Sequence, residues 1–327
     1  MKLSVIRFRT TSSYKHREIV FMMLLFVVVC CLSSCTVTSH RTQIGSMGEA
    51  CSQNWPKVLE QKVGPIELET IISGSWYVPR EGLIKVDHLN NQWLSQTDED
   101  ELVNITFHVL HHPDHGTYLI NTGLESAWSS KNGDPKVNWI IEHYLHSDHQ
   151  VKVKTSISSW LQSHESIQGV LLTHMHLYTL LGLPEVPSLI PIYVGPGETD
   201  YNLGFSALAL RGNYNSLLEP FQDLQIWDYR SCGDEFEGVI DVFQDGSLFA
   251  LWLPGYSPGN TVYLARTHEG LVLVTGDTAH TAQSWQLDIP PGSFAYDMDK
   301  AEDSFHKLKS FVSNYPDIKV YPNVNFK

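Results

Sequence analysis

The chain has few basic residues, with 22 lysines and arginines against 36 aspartates and glutamates among its 327 residues. The formal net charge of −14 argues against a nucleic-acid-binding protein, because such proteins neutralise phosphates with clusters of lysine and arginine. Long apolar runs are also missing. The run at residues 19–32 has 14 residues, fewer than the roughly 20 that a membrane-spanning helix needs. No internal repeat of solenoid length is visible.

The N-terminus has the pattern of a secretory signal rather than of a folded segment. Five basic residues lie within residues 1–17, and the apolar run that follows has the length of a signal-peptide core. The run ends in Leu32-Ser-Ser-Cys35, which resembles the lipobox of bacterial lipoproteins. This resemblance implies that residues 1–34 are a lipoprotein signal peptide and that Cys35 is lipidated. An uncleaved N-terminal anchor is the alternative.

The lipoprotein interpretation implies a location in the bacterial cell envelope. Threonine rather than aspartate follows Cys35, so we expect a protein anchored in the outer membrane and facing the periplasm. Removal of residues 1–34 takes away five basic residues and one acidic residue, which changes the net charge from −14 to −18. Such a chain is not attracted to anionic lipid, and attachment to the membrane would therefore depend on the acyl chains.

Residues 35–60 are polar and without clear period, and are predicted to be a tether ahead of a single domain at 61–327. In the predicted mature chain, Cys51 and Cys232 are the cysteines that remain after Cys35 is assigned to lipid. They are able to pair in an oxidising periplasm only if the fold brings them together, and the sequence leaves that question open.

Short apolar runs alternate with helix-like segments along the predicted domain. β-Branched or aromatic runs predict strands at residues 66–72, 105–110, 117–121, 170–172, 192–194, 248–253, 262–265 and 271–275. Apolar residues at helical spacing predict helices at residues 139–146, 156–163 and 301–314. This alternation predicts an α/β fold in which helices cover the sheets.

Two histidines follow one of the predicted strands. His174 and His176 lie just after the apolar run at residues 169–173, at the carboxyl end where α/β proteins commonly place their chemistry. A His-x-His pair on a tight loop directs both imidazoles to one point, which is a common way to hold Zn²⁺. Two nearby histidines are more often solvated or core residues, so the pair gains its weight from its context.

That context resembles a known family. The segment Thr173-His-Met-His-Leu-Tyr-Thr-Leu-Leu-Gly182 resembles the Thr-His-x-His-x-Asp-His-x-x-Gly signature of the metallo-β-lactamase-fold hydrolases, which include glyoxalase II and the acyl-homoserine lactonases. Four further segments are similar to the family's and occur in its order: Ile120-Asn-Thr-Gly123, residues 190–198, Pro254-Gly-Tyr-Ser-Pro-Gly259 and Thr275-Gly-Asp277. The resemblance covers residues 65–327. It implies an αββα sandwich, with two mixed β-sheets flanked by helices and the metal loops along one edge.

Several of the family's metal ligands are replaced in this chain. By resemblance, Tyr178 and Thr179 stand where the aspartate and histidine of a second metal site are expected. Tyr256 stands where the third histidine of the first site is expected, and the last histidine position falls on Val324 or Asn325. The resemblance therefore implies that the second metal site is absent. Asn121 likewise replaces an aspartate that supports the site without binding metal.

The retained residues define the candidate site. His174, His176 and Asp277 form a two-histidine, one-carboxylate set that suits one Zn²⁺ ion, or else Fe²⁺ or Mn²⁺. Tyr256 is a further candidate to bind the metal or a water beside it. Asp277 and His280 are the candidate catalytic residues, with His280 as a proton shuttle. A histidine on a surface loop is the plainer interpretation of His280.

Other histidines and aromatic residues have weaker claims to function. His111, His112 and His115 surround a predicted hairpin turn and are interpreted as solvated turn residues. The aromatic residues expected near the mouth of a pocket are Trp76, Tyr77, Tyr178, Tyr214, Trp252, Tyr256 and Trp285. Core packing is the plainer interpretation, above all for Trp252, which lies inside an apolar strand.

Two functions remain open at this point. The first is hydrolysis of an ester, lactone or thioester by a single metal ion, with a small molecule as substrate. The second is a catalytically inactive relative that binds a small molecule or a partner protein in the old cleft. Both interpretations predict that His174, His176 and Asp277 meet at one point, although about 100 residues separate them in the chain.

Overall fold

The computed structural model describes residues 36–51, 55–85, 100–130, 133–163, 166–230 and 236–322. The expected signal peptide, Cys35, Cys232 and the last ligand position at Val324 or Asn325 lie outside these residues. Within the described ranges, no helix combines the length and the apolar character that crossing a membrane requires.

Two mixed β-sheets form the body of the protein. Their strands are β1 Thr42–Ile44, β2 Glu49–Ala50, β3 Glu67–Pro79, β4 Asp100–His112, β5 Gly116–Ile120, β6 Lys152–Val153, β7 Ile167–Leu171, β8 Ile192–Val194, β9 Leu224–Ile226, β10 Gly238–Asp241, β11 Leu248–Trp252, β12 Thr261–Thr267, β13 Gly270–Val274 and β14 Lys319–Tyr321. In the described part of the chain, one sheet has the order β1-β9-β8-β7-β5-β4-β3-β6 and the other β14-β13-β12-β11-β10-β2. Strands β5, β7, β8 and β9 run parallel to one another.

Helices cover the outer faces of both sheets. They are α1 Arg80–Leu83, α2 Trp139–Ser147, α3 Ile157–Leu161, α4 Leu177–Leu180, α5 Ala207–Leu218, α6 Ala282–Gln286 and α7 Met298–Asn314. Alternate residues of the strands face opposite ways, as a pleated strand requires. Leu171 and Tyr263 pack between the sheets, whereas Val170 packs against the helices outside. Leu308 and Phe311 of α7 cover the outer face of the second sheet. The predicted layering, with two mixed sheets between helices, is confirmed.

The predicted tether at residues 35–60 is wrong for the part that the structure describes. Strand β1 pairs in parallel with β9, and β2 pairs with β10, so this segment adds an edge strand to each sheet. Trp55 is 6% exposed and stacks on Phe311 of α7 at a ring-centroid distance of 5.7 Å. The polar composition concealed this role, because a few apolar side chains and the backbone hydrogen bonds are enough to dock the segment.

The two sheets are arranged so that several strands end at one edge. Strand β7 leads into the histidine loop, β13 leads into the turn that carries Asp277, and β11 leads into the loop that carries Tyr256. The backbone N–H of Thr261 donates to the carbonyl oxygen of Thr173 over 2.7 Å, which ties the second sheet to the histidine loop of the first. This edge is where the candidate site forms.

We expect Trp55→Ala to lower the free energy of unfolding by about 3–5 kcal/mol, the usual loss when a buried tryptophan is truncated. Ile44→Ala is the matched control, because Ile44 belongs to the same N-terminal segment but is 64% exposed. Its effect should stay within about 0.5 kcal/mol. The measurement is chemical denaturation of both variants. Equal, small effects would show that the segment does not stabilise the domain.

Candidate metal centre and pocket

The histidine loop and the Asp277 turn approach each other very closely. Asp277 lies in a single 3-10 turn, Gly276–Thr278, directly after β13. Gly276 has φ +52°, and a Cβ atom there would lie 2.8 Å from Cβ of Thr173. Only glycine fits this position, because any side chain would both strain the backbone and push the two loops apart. The close approach brings the carboxylate of Asp277 up to the two histidines.

His174, His176 and Asp277 meet as the sequence predicted. One ligand atom from each lies within 4.8 Å of the others. Among the described residues, these three form the group of histidine and acidic side chains that is close enough to share a metal ion. Nε2 of His174 is 3.3 Å from Oδ2 of Asp277. Both of these side chains are almost completely buried, at no more than 1% exposure.

Three further side chains converge on the same carboxylate. The hydroxyl of Tyr178 donates to Oδ2 of Asp277 over 2.6 Å and lies 3.2 Å from Nε2 of His174. Nε2 of His280 lies 3.2 Å from the same oxygen. The phenol of Tyr256 also hydrogen-bonds to Asp277, and its ring packs edge-on against His174. A single buried carboxylate therefore organises the site.

A hydrogen-bond chain sets the orientation of the His174 ring. The hydroxyl of Thr173 donates to Oδ1 of Asn121, which also accepts the backbone N–H of Thr173. Because that hydroxyl has only one proton, it must accept from Nδ1–H of His174, 2.9 Å away. Nε2 is then the nitrogen left to meet a ligand, and it faces Asp277 and the hydroxyl of Tyr178. Asn121 thus supports the loop indirectly, in the manner expected of the residue it replaces.

Thr179 takes part in the loop rather than in the site. Its hydroxyl lies 2.9 Å from the carbonyl oxygen of His174 and 2.7 Å from that of His176, and it donates to them. The side chain is 1% exposed and stabilises the loop through these contacts with its backbone. A hydrogen bond therefore holds the chain where the family resemblance places a metal ligand.

Glu198 joins the histidine loop to the Tyr256 loop, a role that the sequence did not indicate. One carboxylate oxygen accepts the backbone N–H of Met175 over 2.6 Å. The other accepts the hydroxyl of Ser257 and, over 2.8 Å, the backbone N–H of Gly259. Burial raises the pKa of Glu198, and these hydrogen bonds oppose the increase. Glu198 ends the family-like segment at residues 190–198, but nothing in that segment indicates which loops its carboxylate joins.

The protonation states of the site follow from burial and neighbouring charge. Burial, followed by the nearby His174, lowers the pKa of His176 to about 3, so its ring is neutral at physiological pH. Burial alone would raise the pKa of Asp277, but the facing His280 and His174 hold it well below its usual range. Burial and then the Asp277 carboxylate raise the pKa of Tyr256 well above its usual range. The arrangement therefore combines neutral imidazole, carboxylate and phenol.

A cavity of about 260 Å³ opens directly onto the site. Its floor contains His176, Tyr178, Tyr256, Asp277 and His280. The walls are mainly apolar, with contributions from β3, α2 and α5. Of the aromatic residues expected at a pocket mouth, Trp76, Tyr178, Tyr214 and Tyr256 line it, and the sequence did not single out Tyr144, His149 or Phe294.

Several plainer interpretations need correction. His280 is 3% exposed and lies inside the site, so it is not a surface-loop histidine. His112 is 1% exposed and lies 2.9 Å from Oδ2 of Asp245, so it is not solvated but links two hairpin turns. Trp252 and Trp285 do not line the pocket. Trp285 packs against Phe305 and the core, in agreement with the core-packing interpretation, whereas Trp252 is only partly buried and stacks on Tyr229.

The architecture is shared with solved hydrolases. A mutant of AiiA from B. thuringiensis, with N-decanoyl-L-homoserine bound at its active site, matches with a TM-score of 0.54 and 18% identity over 79% of this chain and 92% of that one. The hydrolase AbOPH of the β-lactamase superfamily matches with a TM-score of 0.52 and 15% identity over 87% and 91%. The chain has the metallo-β-lactamase fold. The expected resemblance is confirmed at this level.

Sequence relatives match a shorter stretch. N-acyl homoserine lactonase AttM from Agrobacterium fabrum is 32% identical over 80 residues, which are 24% of this chain and 30% of that protein. AttM from Azorhizobium caulinodans is 29% identical over 87 residues, 26% of this chain and 32% of the relative. The chain thus matches about a third of the length of these curated relatives. No protein-family model matches it.

The donors of the site fit one metal ion. In a tetrahedral zinc site with bonds near 2.0 Å, neighbouring ligand atoms are roughly 3.3 Å apart, and His174 and Asp277 have this spacing at 3.3 Å. Within the described residues, Nδ1 of the buried His280 has no hydrogen-bond partner, whereas its Nε2 faces Oδ2 of Asp277 at 3.2 Å. A buried polar group in this state indicates a ligand at the site. Neutral imidazole and carboxylate are the forms that bind zinc, iron or manganese.

We expect Thr173→Val to weaken zinc binding by about 10- to 100-fold, the usual effect of removing a group that orients a ligand. The substitution keeps the shape of the side chain but removes the hydroxyl between Asn121 and Nδ1 of His174. Thr173→Ser, which keeps the hydroxyl, is the control and should bind zinc almost as well as wild type. Competition with a chromophoric chelator measures both. Unchanged affinity in the valine variant would rule out the proposed orientation of His174.

Proposed function

We propose that this protein is a metal-dependent hydrolase that acts with a single metal ion on a lactone or a related ester or thioester with an apolar acyl chain. The observation that carries the proposal is that a metal-binding set of side chains lies at the end of an apolar cavity. A compact set of two histidines and a carboxylate forms the floor of a cavity whose walls are apolar. The reactive carbonyl would lie at the floor and the acyl chain along the walls.

Similar proteins support this choice of substrate. The AttM relatives are N-acyl homoserine lactonases. Two solved structures of the same fold contain N-hexanoyl-L-homoserine, described as the product, at a catalytic metal centre or in a dizinc lactonase. Their ligands combine an acyl chain with a polar head that carries the cleaved ester. The cavity of this chain has the matching division into apolar walls and a polar floor.

The side chains of the floor have distinct roles in the proposed reaction. His174, His176 and Asp277 would hold the cation, which when bound polarises a carbonyl and lowers the pKa of a bound water. His280 would accept a proton from the attacking water and return it to the leaving oxygen, since imidazole commonly serves as general base and acid. Its Nε2 lies 3.2 Å from Oδ2 of Asp277, which keeps the ring directed at the reacting centre. The apolar walls would exclude bulk water from the acyl chain.

The experiment compares wild type with His176→Ala on esters, lactones and thioesters with acyl chains of increasing length. We expect wild type to hydrolyse at least one of these substrates and His176→Ala to lose at least 100-fold in kcat/KM, which corresponds to about 2.7 kcal/mol of transition-state stabilisation. His306→Ala, which removes a histidine that is half exposed on α7, is the matched control. It should retain both turnover and bound metal.

The second candidate function is binding without turnover. The replacement of ligand positions by Tyr178, Thr179 and Tyr256 favours it, because the carboxylate and the histidines there are lost. Its outcome in the same experiment is distinct. If wild type and His176→Ala are indistinguishable on every substrate, yet an acyl-homoserine product binds the cavity in a calorimetric titration, then the hydrolase proposal is rejected in favour of a binding protein.

We also propose that the protein is a lipoprotein anchored through Cys35 in the bacterial outer membrane. The support is the basic leader, the apolar core and the Leu32-Ser-Ser-Cys35 sequence. We expect Cys35→Ala to abolish incorporation of labelled palmitate and to remove the protein from the outer-membrane fraction. Cys51→Ala is the control and should be labelled normally. An unchanged membrane fraction for Cys35→Ala would support an uncleaved anchor at residues 19–32.

A further inference from the structure

The expected lipid anchor lies directly beside the wall of the cavity. Thr36, the residue after Cys35, pairs its backbone with that of Asn202 in an antiparallel β-bridge. Val37, the next residue, is completely buried in the core that β7 and α5 share. Consecutive Cα atoms are about 3.8 Å apart, so a lipid on Cys35 leaves the protein at this bridge. We call this position the anchor point.

Helix α5 and the turn before it connect the anchor point to the cavity. The hydroxyl of Thr38 donates to Oδ1 of Asn215 on α5 over 2.6 Å. Leu210 and Tyr214 of the same helix line the cavity, as does Leu203, which directly follows the residue of the β-bridge. The N-terminal segment is therefore docked on the element that forms one wall of the cavity, so the anchor point is fixed relative to that wall.

Large apolar side chains are exposed around the entrance of the cavity. Tyr144 and Phe294 line the cavity and are also exposed to solvent, so they lie at its entrance. Trp139 and Ile140 extend this surface along α2, which also carries Tyr144, and Trp139 is 75% exposed. Tyr296 is exposed two residues after Phe294. We call these five side chains the apolar rim.

The apolar rim lies next to the anchor point. The ring of Tyr296 packs edge-on against that of Tyr201 at a ring-centroid distance of 5.1 Å, and Tyr201 directly precedes Asn202 of the bridge. On the other side, the backbone N–H of Asn138, which caps the start of α2, donates to Oδ1 of Asn213 on α5 over 2.6 Å. Both ends of the rim therefore contact the elements on which the N-terminal segment docks.

A lipid bilayer fits this surface better than a partner protein does. Exposed clusters of large apolar side chains mark sites of interaction with proteins or membranes. Three of the five members of the rim are tryptophan or tyrosine, the side chains that accumulate at the membrane–water interface. The lipid at the anchor point brings the bilayer within reach of the rim. The net charge of −14 gives no attraction to anionic lipid, so the contact would be apolar.

We propose that the apolar rim rests on the bilayer that holds the lipid on Cys35, so that the entrance of the cavity opens toward the membrane. The inference rests on the proposed lipoprotein anchor and adds the orientation of the domain. Ligands with an acyl chain that dissolve in the bilayer would then enter the cavity from the lipid instead of crossing water. The exposure of large aromatic side chains at the entrance has the same explanation, because the membrane covers them.

The test measures which tryptophan touches lipid. The full-length lipidated protein is reconstituted into vesicles of phosphatidylcholine that carries bromine on its acyl chains and quenches tryptophan fluorescence on contact. We expect quenching in wild type and the loss of most of it in Trp139→Phe. Trp285→Phe is the matched control, because Trp285 packs against Phe305 of α7, and it should keep the quenching.

A second pair of variants tests the surface without removing a tryptophan. Ile140→Glu places a charge on the rim and should lower the quenching, while the acyl chains keep the protein on the vesicles. Leu189→Glu is its control. Leu189 is exposed shortly before β8, which runs parallel to β7, so it lies at the sheet edge opposite the histidine loop. This variant should be quenched like wild type.

Lipidated protein whose Trp139 is not quenched would overturn the inference, and dimers in sedimentation of that sample would assign the rim to a second copy instead. Equal effects of Ile140→Glu and Leu189→Glu would overturn it as well. The lipoprotein proposal fails separately. Wild type without incorporated palmitate would reject the anchor and the orientation together, whereas palmitate without quenching would reject the orientation alone.

Discussion

The carboxylate of Asp277 is the constraint on which the site depends. It is fully buried, and a buried carboxylate is costly unless hydrogen bonds or opposite charge compensate it. Here the Tyr178 hydroxyl and the imidazoles of His174 and His280 surround one of its oxygens, and the Tyr256 phenol also hydrogen-bonds to the carboxylate. These groups come from three separate loops, so the carboxylate can be satisfied only when the packed sheets bring these loops together at one edge. Gly276 permits that approach because it has no side chain.

Hydrogen bonds stabilise the histidine loop at Tyr178 and Thr179, the two positions where the metallo-β-lactamase signature has metal ligands. Thr179 donates to carbonyl oxygens of the histidine loop, and Tyr178 contacts Asp277 from the position where the resemblance implies an aspartate. Glu198 connects the same loop to the segment that carries Tyr256. A buried polar network of this kind is stabilising when every member finds a partner. These hydrogen bonds can therefore hold the shape of the loops at the positions of Tyr178 and Thr179 without a metal ion there.

The cavity indicates which class of ligand the site can accept. Its mainly apolar walls come from elements that lie far apart in the chain, among them β3 and α5, and the side chains of the candidate site form its floor. Pockets of this kind bury an apolar portion of a ligand and fix its orientation with a few polar groups. Histidine, carboxylate and phenol are all present at the floor, so chemistry and recognition are combined within one small volume.

Local patterns in the sequence predicted eight of the fourteen described strands, helices near those at Trp139–Ser147, Ile157–Leu161 and Met298–Asn314, and the histidine loop, but they missed the helix Ala207–Leu218. The strand at 192–194 has the predicted bounds, and the helix predicted at 301–314 begins three residues earlier at Met298, where Asp297 caps it. The five family-like segments also determined the fold and the meeting of His174, His176 and Asp277. Only the tertiary structure decided that β1 and β2 add edge strands to the two sheets, that His280 is buried and that Glu198 joins two loops. These features depend on contacts between residues far apart in the chain, and hydrophobic periodicity carries no information about such partners because it records only which face of an element is buried.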